Sequence, residues 1–265
     1  MPAWLFMWVL SLAIFAALKW MTWWTARDKV PANVGRSLAY LLAWPGMDAD
    51  AFLDSRSRPD QPSLREWLWA ATKTAAGMVL FWVIARRIPA EQSLLRGWIG
   101  LLGLIFLLHF GSFHLVALFW QATGIDAQPI MSSPIFSKTL SEFRGKRWNL
   151  GFRQLAHELI FRPAQKHIGA SLAGLLVFVL SGLIHDLVIS LPARGGYGLP
   201  TAYFIVQGLG VLVERSALVR PTGLQKKLPA RIFTLVVTAA PVFWLFHPAF
   251  VQRVIIPFMH AAHSL

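Results

Sequence analysis

The stretch Ile168-Gly169-Ala170-Ser171-Leu172-Ala173-Gly174-Leu175-Leu176-Val177-Phe178-Val179-Leu180-Ser181-Gly182-Leu183-Ile184-His185-Asp186-Leu187-Val188-Ile189-Ser190-Leu191 decides the fold. It is long enough to cross a hydrocarbon core as a helix, which takes roughly 17–25 residues. Only His185 and Asp186 interrupt it with ionisable groups. Five further apolar runs, 4–24, 66–85, 97–120, 199–214 and 231–250, have similar character. The whole chain of 265 residues is 56% hydrophobic and 14% charged, a balance that a water-soluble domain does not need. The expected fold is therefore all-α: a polytopic transmembrane helical protein with about six to eight spans plus short interfacial or re-entrant helices.

Two pieces are too short or too polar to span. Residues 38–52 are apolar and then broken by Pro45-Gly46 and acids, while residues 150–161 alternate apolar side chains with Arg153, His157 and Glu158. Both read as interfacial or re-entrant helices. No repeat or linker is evident, so residues 1–265 read as a single membrane-embedded domain. No positive charge precedes Lys19 and no A-x-A site follows the first apolar run, so that run reads as a retained span.

The net charge of +13 is distributed by topology. Eighteen of the 25 Lys and Arg fall in segments 25–65, 121–167 and 215–231, against five in the alternate connections. This positive-inside bias puts the basic segment around Asn149 on the cytoplasmic side and both termini outside. Basic residues clustered between apolar runs fit anionic lipid headgroups or the phosphates of an acyl donor, and nucleic acid is not an expected partner. Thirteen Trp and nineteen Phe suit interfacial anchoring. With no cysteine, thiolate chemistry and disulfides are excluded.

Several catalytic signatures are missing: no G-x-S-x-G elbow, no His followed five residues later by Asp, no His-His pair, and no second histidine after His157-Glu158. No metal site is expected. His185 stands out, because hydrocarbon surroundings have little room for an idle imidazole. Ser181 and Gly182 share its helix face, where a small residue leaves space for a substrate chain or another backbone. Asp186 points about 100° away and is a poor orienter for the ring. Shielded from water, the imidazole is expected to be neutral. A structural histidine bonded to a carbonyl of a neighbouring helix is the alternative. In the segment Ser141-Glu142-Phe143-Arg144-Gly145-Lys146-Arg147-Trp148-Asn149-Leu150, the cations Arg144, Lys146 and Arg147 either enforce topology or hold phosphates. Asn149 adds no charge and is suited to orienting a base or donating to an oxyanion.

These residues resemble the wax synthase branch of the membrane-bound O-acyltransferases. The resemblance runs from Pro129-Ile130-Met131 through the Ser137–Asn149 segment, then Ser181-Gly182-Leu183-Ile184-His185-Asp186, Gln207-Gly208 and Glu214; Tyr40–Asp48 is also similar. It implies transfer of a fatty acyl group from acyl-CoA, as co-substrate, to the hydroxyl of a long-chain alcohol. The family's paired Asn and His fall on Asn149 and His185. Arg144, Lys146 and Arg147 are then candidates for holding acyl-CoA, with Trp148, Ser181, Gly182 and Gln207 lining the substrate site. No permanently bound cofactor is implied. The chain departs from the family pattern at Arg144, where Trp is usual, at Asp186, where Glu is common, and at Gln207, where His is common.

The expected function is wax-ester synthesis in a multi-pass protein of a bacterial cytoplasmic membrane or endoplasmic reticulum. Other acceptors, a sterol, a diacylglycerol or a polyol, stay open, as does a transporter or scaffold in which His185 relays protons or packs. On the expected topology His185 lies toward the outer end of its helix and Asn149 begins inside, so their meeting requires a bent or inserted 140–165 segment.

Overall fold

A computed structural model describes residues 1–30, 33–216 and 227–265, so the 217–226 portion of the last basic segment lies outside the described residues. The described residues are mainly helical, without a strand among them. Five segments are long and apolar enough to cross a bilayer: α1 (Ala3–Ala26), α4 (Leu64–Arg87), α5 (Ala90–Ala122), α6 (Leu150–Ala193) and α8 (Leu228–Leu245). Between them lie the shorter α2 (Val34–Ala43), α3 (Ala49–Leu53) and α7 (Leu199–Arg215). The fold is that of a polytopic helical membrane protein. The expected span 199–214 is α7, whose 17 residues sit at the lower limit for crossing. The last expected span ends early, because Pro241 and the His247-Pro248 pair break the helix.

Residues 150–161 open α6, a 44-residue segment reaching Ala193 that is two helices joined at a kink. The kink falls at Gly169, whose φ of +78° lies in the left-handed region that glycine adopts at low cost. Gly151 permits close approach: a Cβ there would lie 3.0 Å from the Met47 backbone nitrogen.

The chain divides into two compact units. One comprises Met1–Met7, Ser132–Asn149 and Leu155–Val254; the other comprises Trp8–Met131, Leu150–Gln154 and Ile255–Leu265. In the second unit α4 and α5 pack through small residues, as membrane helices commonly do. A Cβ at Gly103 would stand 2.8 Å from the Phe81 nitrogen. The Pro45-Gly46 break ends α2 and lets Tyr40, Trp44 and Phe52 form a buried aromatic cluster with Ala117. Lys19, 1% exposed, points its ammonium at the Gly46 carbonyl and lies 3.3 Å from the centre of the Tyr40 ring. Lys73 Nζ and His114 Nδ1 are 2.7 Å apart, a pairing across α4 and α5.

In the first unit α6 and α7 form the main helix pair. Gly182 is buried where they touch, and a Cβ added to it would lie 2.7 Å from the Thr201 Cα. Of the two uses open for that small residue, contact with another backbone is the one found.

Candidate active site

α7 organises the site. Residues spaced three and four apart lie on one helix face, and Tyr203, Phe204, Gln207 and Gly210 are all buried on α7. At its end, the Glu214 carboxylate accepts hydrogen bonds from the backbone N–H groups of Leu140 (2.6 Å) and Ser141 (3.2 Å). Those are orphan donors at the start of a short helical turn, Leu140–Glu142, which Thr139 also caps by accepting from the Glu142 nitrogen. Arg215 Nε adds a bond to Ser141 Oγ at 3.1 Å. The basic segment is thereby moored to α7 from outside its own sequence neighbourhood. It continues as a π-helical turn, Phe143–Arg147, an irregularity often found at functional sites.

This mooring sorts the three cations. Arg144 turns toward α7: its Nε donates to Gln207 Oε1, and its guanidinium carbon lies 4.9 Å from the Phe204 ring centre. Desolvation lowers the Arg144 pKa from its ordinary value, with Tyr203 opposing, and an arginine starts high enough to stay charged. Arg147 donates through Nε to Glu142 Oε1 (2.7 Å) and through Nη1 to the Ser132 carbonyl (3.3 Å), so it is tied within its own loop. Lys146 is exposed. Trp148 stacks on Phe143, ring centres 5.4 Å apart. Asn149 adopts φ +48°, a left-handed conformation that Asn tolerates better than most residues, and it joins the π-helical turn to α6.

His185 is half-buried, with its ring centre 4.4 Å from that of Phe204. Its Nδ1 is 2.7 Å from the Ser181 carbonyl oxygen. A carbonyl only accepts, so Nδ1 carries the proton, and in the neutral ring Nε2 is left as the acceptor. The partner carbonyl belongs to the same helix one turn back, not to a neighbouring helix. Ser181 thus acts through its backbone on the ring's tautomer.

Asp186 opens a second π-helical turn, Asp186–Ser190. Its carboxylate accepts from Gly198 N (2.9 Å), Thr201 N (3.0 Å), Thr201 Oγ1 and Ser190 Oγ (2.8 Å). It holds the start of α7, consistent with its direction away from His185. Ser190 also lies 3.3 Å from His247 Nε2, giving an Asp–Ser–His grouping. The direction is wrong for a nucleophile. His247 Nδ1 accepts from the Phe250 N–H, so in the neutral ring Nε2 bears the proton and donates to Ser190. His247 is buried.

Around His185 the structure therefore gathers Arg144, Phe204 and Gln207 on one side and the α7 backbone at Gly182 on another. Sequence reasoning passed over Phe204 and Tyr203, since an aromatic on a buried helix face carries no signal of its own. A cleft of about 570 Å³ lies along α6 and α7, lined by Leu183, Asp186, Leu187, Tyr197, Thr201 and Ile205 among others.

Comparison with known proteins shows what the chain is similar to. Residues 127–206 match the model of the membrane bound O-acyl transferase family, a stretch that holds Arg144, Asn149 and His185 and stops one residue before Gln207. The resemblance read from the sequence holds. Among individual relatives, the chain is 26% identical over 147 residues to a protein of Arabidopsis thaliana named probable long-chain-alcohol O-fatty-acyltransferase 7, covering 49% of this chain and 42% of that one. It is 27% identical over 151 residues to the one numbered 2, covering 52% and 43%. It is 24% identical over 138 residues to acyl-CoA–sterol O-acyltransferase 1 of the same organism, covering 48% and 40%. The chain thus spans less than half the length of the curated relatives it matches.

Proposed function

We propose that this chain is an intramembrane O-acyltransferase that moves a fatty acyl group from acyl-CoA to the hydroxyl of a lipid alcohol. The observation that carries this reading is the Nδ1 bond from His185 to the Ser181 carbonyl, which leaves Nε2 as a lone-pair acceptor on a histidine inside an apolar helix. An alcohol is a weak nucleophile, and a positioned base that takes its proton contributes about 10²–10⁴-fold. In the step proposed, His185 Nε2 accepts the hydroxyl proton as the alcohol oxygen bonds to the thioester carbon. The carbon–sulfur bond then breaks, and the proton passes to the departing coenzyme A thiolate. Asn149, beside the moored basic segment, is the proposed residue for orienting the reactants or donating to the oxyanion. Exposed Lys146 is suited to the phosphates of coenzyme A at the aqueous edge, whereas the acyl chains stay in lipid.

The names of the relatives support a long-chain alcohol as acceptor, and one of them, a sterol acyltransferase, supports a sterol as the second reading. The test is ester formation by purified protein in neutral detergent from palmitoyl-CoA with hexadecanol or a sterol, read together with thiol release. His185→Ala is expected to lower turnover by about 10²-fold or more. Unchanged turnover in a folded His185→Ala protein overturns the base assignment. Absence of ester with every acceptor overturns the reading as a whole.

A further inference from the structure

The environment of His185 has a surplus of hydrogen-bond donors. A guanidinium offers five N–H groups, and only the one on Nε of Arg144 meets an acceptor among the described residues, Gln207 Oε1. That contact also fixes which end of the Gln207 amide is oxygen, so its NH₂ group points away from the cation. Gln207 is 0% exposed, and its Nε2 has no partner among the described residues. Two adjacent side chains therefore present only donors, one of them with a permanent charge. No carboxylate pairs with Arg144 among the described residues, and residues 31–32 and 217–226 contain no Asp or Glu. The nearby acids are engaged. Glu142 holds Arg147, Glu214 holds the Leu140 and Ser141 nitrogens, and Asp186 holds the start of α7.

A buried amide donor such as Gln207 Nε2 costs about 1–3 kcal/mol when it lacks an acceptor, and the half-buried Arg144 charge beside it has no counter-ion among the described residues. A ligand that brings the missing acceptor removes that cost. Buried groups of this kind are how a site selects for a polar substituent and against an analogue that lacks it. The ligand has to reach His185 as well. The imidazole and the Arg144 guanidinium carbon flank the same Phe204 ring, at 4.4 Å and 4.9 Å from its centre. Laid end to end, those distances put the two groups no more than 9.3 Å apart.

We infer that Arg144 and Gln207 form an anion subsite beside His185, and that the preferred acceptor carries a carboxylate or phosphate within a few bonds of its reacting hydroxyl. The inference rests on the acyl-transfer reading for its chemistry, though not for binding. An acceptor is favoured over the transient oxyanion because the guanidinium is charged throughout the cycle, and only a ligand charged in its ground state neutralises it before the reaction begins.

The experiment is an acceptor panel with palmitoyl-CoA in neutral detergent. 3-Hydroxyhexadecanoate and 1-palmitoyl-glycerol 3-phosphate supply the carboxylate and phosphate arms. Hexadecanol and monopalmitoylglycerol are their neutral counterparts, and 16-hydroxyhexadecanoate places its charge a chain length from the hydroxyl. One or both of the close-spaced anionic acceptors should exceed its neutral counterpart by about tenfold or more in kcat/KM, the size of a charge-assisted hydrogen bond. The arm that wins identifies carboxylate or phosphate. The 16-hydroxy acid should show no such advantage. Arg144→Gln should collapse the anionic-to-neutral ratio toward one, and Arg144→Lys should recover part of it.

A readout independent of turnover is thermal unfolding of the wild-type protein. The winning anionic acceptor at saturation should raise its Tm by about 5 °C or more, and hexadecanol should not. Equal kcat/KM across the panel, or an Arg144→Gln loss equal for all acceptors, overturns the subsite and assigns the charge to the acyl donor. Stabilisation by the anionic lipid without ester formation supports the subsite and removes the acyl-transfer reading instead. Ester formation from hexadecanol without any anionic preference does the reverse.

Discussion

Lys19 and Arg144 are both basic side chains set among apolar helices, and they are treated in opposite ways. Lys19 comes with its environment supplied. The α2 break exposes the Gly46 carbonyl to its ammonium, and Tyr40 gives it an aromatic face. Tyr40 is in turn held by its hydroxyl, 2.6 Å from Thr22 Oγ1 one turn along α1. Lys19 thus has one acceptor and one aromatic face, both supplied by the protein itself. Arg144 has one of its five N–H groups matched, and the residue that matches it, Gln207, is left with an unmatched amide of its own. A basic side chain whose acceptor is built in is part of the scaffold. One whose neighbours add further donors is arranged for something that is not part of the chain.

That contrast can be broken at Asp186, the acid adjacent in sequence to His185. If Asp186 belongs to the scaffold, its removal affects α7 before it affects chemistry. Asp186→Ala frees the Gly198 and Thr201 N–H groups and two hydroxyls, and is expected to destabilise the protein by about 2–4 kcal/mol. The measurement is the midpoint of thermal or denaturant unfolding in detergent. Full stability combined with lost turnover would move Asp186 from the scaffold to the reacting groups. A smaller loss is expected at Lys19. Lys19→Met keeps the apolar stem, removes the donor to Gly46 and leaves that carbonyl unmatched, for about 1–3 kcal/mol. The same substitution should not alter the ratio of anionic to neutral acceptor use, whereas a change at Arg144 should.

The apolar runs that became α1, α4, α5 and α6 were legible, because periodicity and length are local properties of a sequence. The singular chemistry of His185 was legible for the same reason: an imidazole within an apolar helix stands out without knowledge of its neighbours. What surrounds it was not legible. The bond from Gln207 to Arg144 and the mooring of Leu140 by Glu214 join residues 63 and 74 positions apart. Nothing in either stretch announces such a partner. The departures at positions 144 and 207 were visible separately, and only the fold makes them neighbours. The need for a bent or inserted 140–165 segment was legible, but the residues that turn the chain were not. A glycine's presence says only that a left-handed turn is permitted; the left-handed residues found are Asn149 and Gly169.

The smallest expected effect is at Arg147, and it sharpens the contrast because Arg147 is only three residues from Arg144. Both were candidates for a phosphate, and spacing could not separate them. In the fold, Arg147 meets an acid and backbone carbonyls, whereas Arg144 meets an amide and aromatic rings. The Arg147–Glu142 pair is partly exposed, with side chains 26% and 22% accessible, so solvent screens it. Arg147→Ala should therefore cost no more than about 1 kcal/mol of stability, and the KM for acyl-CoA should stay within about twofold. Glu142 remains anchored after that substitution, because its carboxylate also accepts the Lys138 N–H at 2.8 Å. A rise in KM for acyl-CoA of tenfold or more would show that the arginine leaves Glu142 to hold donor phosphate. The cation of the scaffold and the cation of the site would then be one residue in two states of occupancy, and the division drawn between Lys19 and Arg144 would fail inside a single π-helical turn.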